Sequence, residues 1–319
     1  MTHSTSTIDR TAIAGAYDVI APHIRATPVI EVRGADLGID VDGLVLKLEF
    51  MQYAGSFKAR GAFANLLLRD VPDAGVVAAS GGNHGAAVAY ASQRMGVTAK
   101  IFVPAFSSPA KIQRIKQYGA DLVASGDDIA EAFAASIEWA ATTGAMPIHP
   151  FDQRETMLGT GTVGLELADQ VDGLDTVLVA VGGGGLLGGV ASWFAGAVKV
   201  VGVEPEAAPT LTSALAAGHP VEAAAGGVAA DSLGPRFVGE LVYPVAERWA
   251  SHPVLVPDEA IIAAQRALWE TLRIAVEPGG ATAIAALLSG RYVPGRGERI
   301  AVVLSGANTD HLPTGRLTV

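Results

Sequence analysis

Short apolar runs alternate with stretches of helical period along nearly the whole chain, and glycine or proline separates them. A first helix is expected at 9–23, after which Thr27, Pro28 and Val29 lead in extended conformation into the body of the fold. The apolar run 44–50 reads as a strand, Gly55 breaks it, and Ser56 stands where it can cap a helix continuing through Ala64 to Leu68. Further strands are expected at 75–79, 100–103, 121–124 and at a segment ending near His149. The helices between them run from the loop 80–85 to Met95, from the pair Ser108 and Pro109 to Tyr118, and from Asp127 or Asp128 to Thr142. Connections of that length are crossovers, so these strands make an open parallel sheet.

Beyond Pro150 the pattern restarts. It predicts a helix around 162–171, a strand at 176–181, a glycine loop, a helix to Ala195 and a strand at 198–203. The stretch 205–234 reads as loops and short helices, because apolar residues recur through it. A helix at 258–273 opens at Asp258 and carries the stripe Ile261, Ile262, Leu268, Trp269 and Leu272; a helix at 280–288 and a buried strand at 300–304 follow. Both halves are therefore of the α/β class.

Composition narrows what such a fold can do. With 50% hydrophobic and 17% charged residues the chain suits a compact soluble enzyme. The net charge of -10, with basic residues scattered, offers no track for a phosphate backbone, so nucleic acid is not an expected partner. The absence of cysteine excludes disulfides, thiolate catalysis and cysteine-ligated zinc. The first ten residues are polar and lack an apolar signal core, which leads us to expect a cytoplasmic protein. Residues 176–198 carry no charge, but Gly182, Gly183, Gly184 and Gly185 in a row would break a lipid-exposed helix, and no membrane span is expected.

Candidate chemistry begins at Lys58. In the first turn of its helix, beside Phe57, its amine meets the positive end of the helix dipole and an apolar neighbour, both of which favour the neutral, nucleophilic form. Such a lysine suits a Schiff base. The spacing Gly183, Gly185, Gly188 between strand and helix satisfies the dinucleotide fingerprint, with Glu204 at the distance of a ribose-binding acid, so a nicotinamide oxidoreductase is one reading. The same loop would hold any phosphate, and the dinucleotide reading leaves Lys58 and the loop around Asn83 without a role. The histidines show no metal spacing, and neither a G-x-S-x-G elbow nor a P-loop occurs.

Five motifs in order, GSFKARGA around Lys58, SGGNHG around Asn83, HPFD at His149 to Asp152, GGGGL at Gly182 to Leu186 and SGAN from Ser305, resemble those of the threonine and serine dehydratases of the fold type II pyridoxal-phosphate enzymes. The likeness spans the chain from Thr27 to Asn308. It implies two open twisted sheet domains of the tryptophan synthase β kind with pyridoxal 5'-phosphate in the cleft between them, a large domain of 1–65 with 150–319 and a small one of 66–149. Lys58 would then be the Schiff-base lysine, with Phe57 beside the cofactor ring, Asn83 on the phenolic oxygen, Gly182, Gly183, Gly184, Gly185 and Leu186 on the phosphate, and Ser305 facing the ring nitrogen. The loop of Ser80, Gly81, Gly82 and His84 would receive the substrate carboxylate. The implied reaction is dehydration and deamination of L-threonine or L-serine to a 2-oxo acid and ammonia, in a homodimer. Related eliminations of hydroxyaspartate, phenylserine or a hydroxyectoine-pathway intermediate, and serine racemisation, fit the same motifs.

Some positions depart from the resemblance. Racemising relatives carry a serine where this chain has Gly81, so elimination is expected to dominate. Glu204 and Ala208 match two positions of a divalent-cation site, but Thr210 stands where an aspartate belongs, so tight cation binding is not expected. Thr160 and Ala307 also differ from the usual residues and leave the substrate preference open. No C-terminal regulatory domain, and so no feedback inhibition by isoleucine, is expected.

Overall fold

The computed structural model describes residues 7–309 apart from 42, 106, 108 and 128. The caps expected at Ser108 and Asp128 lie outside the described residues. The chain opens with α1 (Arg10–Ile20), capped by Asp9 accepting the Ala12 N–H, and then β1 (Val29–Val32) and β2 (Leu44–Lys47). Two 3-10 turns lead to α2 (Lys58–Leu68), so the strand expected to reach residue 50 stops at Lys47. A second unit follows: β3 (Val76–Ala79), α3 (Asn83–Met95), β4 (Ala99–Val103), α4 (Pro109–Gln117), β5 (Asp121–Ala124), α5 (Ile129–Thr143) and the short β6 (Met146–Pro147). The remainder is α6 (Arg154–Gln170), β7 (Thr176–Ala180), α7 (Gly185–Phe194), β8 (Lys199–Pro205), α8 (Thr210–Ala217), α9 (Ala230–Leu233), α10 (Tyr243–Trp249), β9 (Val254–Val256), α11 (Asp258–Ala267), α12 (Pro278–Leu288) and β10 (Ile300–Val303). The expected helix 258–273 finishes as a π-helical stretch, Leu268–Leu272, after α11.

Two sheets result. A four-stranded sheet, in the order β5-β4-β3-β6, is parallel throughout, and a six-stranded sheet has the order β1-β2-β10-β7-β8-β9 with only β1 antiparallel. Both faces of the larger sheet are covered, one by α11 and α12 and the other by α6, α7 and α10. Its central strands β7 and β10 accordingly read as unbroken apolar runs rather than alternating ones.

The helix α2 lies between the two units, packed on α3 of one and α6 of the other. Its contact with α6 is close because a Cβ on Gly159 would fall 2.5 Å from the Arg60 carbonyl oxygen. That explains why α6 starts eight residues before the expected 162: the glycines that look like helix breakers in the sequence are there for tertiary contact. Beneath this crossing lies a buried ion network. Arg60 donates to Glu49 through Nε (2.9 Å) and Nη2 (2.7 Å) and to Glu166 through Nη1 (2.8 Å) and Nη2 (2.7 Å), and Lys47 Nζ reaches Glu166 at 2.6 Å. Two cations and two carboxylates balance one another among groups no more than 3% exposed. Burial pushes the Glu49 carboxyl up, but Arg60 beside it outweighs this and holds it below its ordinary value.

Candidate active site

Lys58 opens α2, as the sequence leads one to expect, but Ser56 does not cap it. The cap position falls on Phe57, with no side-chain hydrogen bond, and the Ser56 hydroxyl is buried without a partner among the described residues. Ser56 is instead extended and bridges antiparallel to Gly306, the Phe57 N–H donating to Ser305 O at 3.1 Å and the Ala307 N–H to Gly55 O at 3.0 Å. The backbone itself thus holds the Lys58 segment against the end of β10, where Ser305 sits.

The partly buried Lys58 amine lies 5.0 Å from the Phe57 ring centroid and donates to Pro150 O at 2.6 Å. Burial lowers its pKa to about 8, against the pull of the Glu277 carboxylate, which favours the charged form. At neutral pH a usable fraction of the amine is therefore free. Next to Pro150, Phe151 fills the space that side chains on Gly183 and Gly185 would need, which brings the glycine loop up to the same segment.

That loop turns from β7 into α7 with Gly184 at φ +84°, a conformation glycine adopts without strain. The N–H groups of Gly182, Gly183 and Gly184 donate in no loop hydrogen bond among the described residues, and those of Gly185 and Leu186 are in the first turn of the helix, where no intrahelical acceptor exists. Their carbonyls, by contrast, are held: Gly182 O by the Thr210 hydroxyl at 2.6 Å, Gly183 O by the Gly239 N–H at 3.1 Å and Gly185 O by the Thr160 hydroxyl at 2.7 Å. A fixed loop with its donors left over is an anion cradle.

Asn83 begins α3 and donates Nδ2 to Glu277 Oε1 at 2.5 Å. Glu277, at the start of α12, received no role from the sequence, where a glutamate before a proline reads as an ordinary helix-start acid. Its carboxylate lies where a side chain on Gly306 would be, so the last strand's end, α12 and α3 meet at one polar wall. Ser305 is 5% exposed, and its hydroxyl has only a long contact of 3.5 Å to Gly279 O, which leaves it able to bind something better placed.

In the loop after β3, Ser80 Oγ accepts the Gly82 N–H at 3.1 Å, and a Cβ on Gly81 would lie 2.7 Å from Ser107 Oγ. The His84 ring nitrogen Nε2 is 2.9 Å from Ile148 O, so it carries a hydrogen and donates; burial lowers this imidazole to about 3. His84 thereby ties the loop to β6's continuation, an anchoring contact rather than an open binding group.

Glu204 is turned away from any ribose or cation role suggested by its spacing. Its carboxylate is fully buried and accepts the N–H groups of Leu211 (2.6 Å) and Thr212 (2.9 Å) and the hydroxyls of Thr212 (2.6 Å) and Thr210 (3.2 Å), holding the start of α8. The nicotinamide reading loses its acid there. Ala208 is buried nearby, and no cluster of three or more potential metal ligands occurs among the described residues.

Comparison with known proteins agrees with this geometry. The family described as "Pyridoxal-phosphate dependent enzyme" matches residues 20–306. The chain belongs to that family. It is 38% identical over 312 residues to a phenylserine dehydratase of Ralstonia pickettii, covering 96% of this chain and 95% of that one. Among solved structures, maize serine racemase superposes with a TM-score of 0.88 at 35% identity, covering 95% of this chain and 94% of the other. A threonine deaminase from T.th. gives a TM-score of 0.88 at 36% identity, covering 95% of this chain and 99% of the other.

The residues present fit the family's cofactor. A phosphate suits the glycine cradle, an aldehyde suits a lysine whose amine is partly neutral, and Asn83 offers an amide donor. A neutral hydroxyl at Ser305 suits a ring nitrogen without forcing a proton onto it.

Proposed function

We propose that this pyridoxal-phosphate enzyme dehydrates and deaminates a β-hydroxy amino acid, L-threonine or L-serine in the first place, to a 2-oxo acid and ammonia. The observation that carries the reading is one partly neutral lysine amine held against Pro150, with the glycine cradle packed on the adjoining Phe151 and with Glu277, which binds Asn83, acting on the amine's charge. Pyridoxal phosphate, when bound, supplies an aldehyde for an amine and a ring that draws electrons from the substrate's Cα.

The chain's own residues supply the rest. Lys58 would hold the aldehyde, and its amine, when free and neutral, would take the Cα proton as general base. Gly182 to Leu186 would hold the phosphate, Asn83 would offer its amide to the phenolic oxygen, and Phe57 would bound the ring. The N–H groups and the hydroxyl of the loop Ser80 to Gly82 receive the substrate carboxylate. Loss of the β-hydroxyl as water leaves an enamine that water hydrolyses to the oxo acid and ammonia. Ser305, a hydroxyl and not a carboxylate, leaves the ring a modest electron sink, which favours elimination over reactions that need a long-lived carbanion.

The likeness to a phenylserine dehydratase and to a threonine deaminase supports dehydration, and Gly81 supports elimination over racemisation. The division into a large domain of 1–65 with 150–319 and a small one of 66–149 follows the two sheets, apart from α2, which touches both. A cytoplasmic homodimer belongs to the same reading, and no helix among the described residues is long and apolar enough to cross a membrane. Tight binding of a divalent cation does not belong to it, because Thr210 and Thr212 already occupy Glu204.

The test is the visible spectrum of the purified protein before and after L-threonine, L-serine or phenylserine, with the oxo acid assayed in parallel. A yellow band that shifts, with oxo acid formed by the wild type and not by Lys58→Ala, is expected. A protein that stays colourless with added pyridoxal phosphate, or Lys58→Ala with full activity, would overturn the reading.

A further inference from the structure

An asparagine amide is nearly symmetric in shape and wholly asymmetric in chemistry, since one end accepts and the other donates. Asn83 can serve an anionic oxygen only with its NH2 end. What sets that end is a chain of contacts running across both sheets. Arg114, on α4, donates Nη1 to Asn308 Oδ1. A guanidinium has only donors, so the oxygen of Asn308 must be the end that faces it. Asn308 Nδ2 is thereby turned the other way and donates to Ala54 O at 2.8 Å and to Asn83 Oδ1 at 2.5 Å. With its oxygen taken, Asn83 turns Nδ2 to Glu277 Oε1 at 2.5 Å, and a carboxylate only accepts.

The chain of contacts begins on a group that can only donate and ends on one that can only accept. Each amide between them has one orientation compatible with both ends. Gly55 belongs to this device, because a side chain there would strike the Asn308 oxygen.

We propose that Arg114 and Asn308 are positioning residues that fix the polarity of Asn83 and hold its donor end toward the site. This rests on the reading that Asn83 meets the phenolic oxygen of the cofactor, and it adds that the choice of end is made from outside the site. Arg114 comes from the four-stranded unit and Asn308 follows the last strand of the six-stranded one, so Asn83 is set correctly only when the two units hold this relation.

Asparagine occurs at only three positions, 65, 83 and 308, so labelling asparagine alone with 15N gives three side-chain amide pairs. Asn83→Asp identifies the Asn83 pair. In Asn308→Asp the new side chain still accepts from Arg114 but offers only acceptors to Asn83, so two carboxylates then compete for its one NH2 end and its oxygen loses its donor. In Arg114→Ala, Asn308 keeps only the Ala54 carbonyl to set its amide, and its hold on Asn83 loosens. In the protein without cofactor, either change should move the Asn83 amide shifts and raise their solvent exchange about tenfold or more. The Asn65 pair, bound to Gly61 O and Thr156 Oγ1, should not change and serves as the control. Pyridoxal phosphate titrated into Asn308→Asp should bind about tenfold more weakly than to the wild type. An Asn83 pair with wild-type shifts and exchange in both variants would overturn the proposal. A wild type that takes up no pyridoxal phosphate would instead overturn the functional reading and leave the amide result standing.

Discussion

The Lys58 amine donates to the main-chain oxygen of Pro150 at 2.6 Å, which joins the first turn of α2 to the segment leading into α6. A carbonyl accepts from an ammonium and from a neutral amine, more strongly from the first, so this contact positions the nitrogen in either state. Charge is decided by burial, which favours the neutral form, and by Glu277, which opposes it.

Reaction of Lys58 in the cofactor-free protein with a small amine-directed reagent should therefore rise with pH through a midpoint near 8, well below the 10.5 of an ordinary lysine. Removing the opposing charge in Glu277→Gln should move the midpoint lower, since only desolvation then remains. Site-resolved mass spectrometry of the labelled peptide gives both curves. A midpoint near 10 in the wild type, or an upward shift in Glu277→Gln, would contradict the assignment.

Arg60 stands two residues beyond Lys58 and faces the opposite way, into the buried network. Replacing it with methionine leaves Glu49 and Glu166 without their shared cation, and only Lys47 remains to offset them. Denaturant unfolding should show a loss of about 3–5 kcal/mol for Arg60→Met. Arg60→Lys should recover only part of it, because an ammonium cannot reproduce the two paired contacts of the guanidinium. Neutralising Glu49 alone in the Met background, which leaves Lys47 paired with Glu166, should restore stability toward the wild type, and a wild-type unfolding curve for Arg60→Met would show that the network contributes nothing.

The order of strands and helices is legible in the sequence wherever an element's own pattern decides it. The apolar runs of β3, β7 and β10 can be nothing but buried strands in a covered sheet, and Lys58, Asn83, the glycine loop and Ser305 stand out because each follows a strand or opens a helix. What is not legible depends on partners far along the chain. Gly159 and Gly161 look like helix breakers until α2 and α1 are seen against them. Ser56 has the chemistry of a cap but is claimed by the bridge to Gly306, and Glu277 acquires meaning only when Asn83, 194 residues away, reaches it. Glu204 shows the reverse: the spacing suggests a ligand, and the fold spends its oxygens on a helix end.

Gly81 admits a test of how tightly the loop after β3 is closed. A side chain at this position would meet Ser107 Oγ at 2.7 Å and Ser107 Cβ at 3.3 Å, closer than unstrained contact allows. Gly81→Ser should push the Ser107 turn or its own loop aside and raise KM for the amino acid several-fold, roughly a 1 kcal/mol effect. Adding Ser107→Gly should return most of the loss, since the two positions share one space and their effects cannot be independent. Additive losses in the double variant would mean that the two loops do not touch in solution. Chiral chromatography of the same samples shows whether the wild type forms oxo acid from L-serine faster than D-serine, as Gly81 leads us to expect.

His84 and His149 make the fold sensitive to acid. Both are held neutral by burial, with pKa lowered from the ordinary 6.5 to about 3 and about 4, and each is committed to a backbone contact. His84 donates to Ile148 O at 2.9 Å, and His149 Nδ1 accepts the Asp152 N–H at 2.8 Å, which needs an unprotonated nitrogen. The unfolded chain takes up these protons first as pH falls, so the stability they represent is complete above about 6.5 and is lost progressively toward pH 4 and below. Denaturation midpoints measured from pH 7 to pH 4 should fall, and His84→Gln, which can keep the bond to Ile148 without titrating, should fall less steeply. The contribution is linked to folding and not to the charge of Lys58, so the slope should be the same in Lys58→Ala apart from the small field that amine exerts on both rings. An identical slope in wild type and His84→Gln would show that His84 is not the group being titrated.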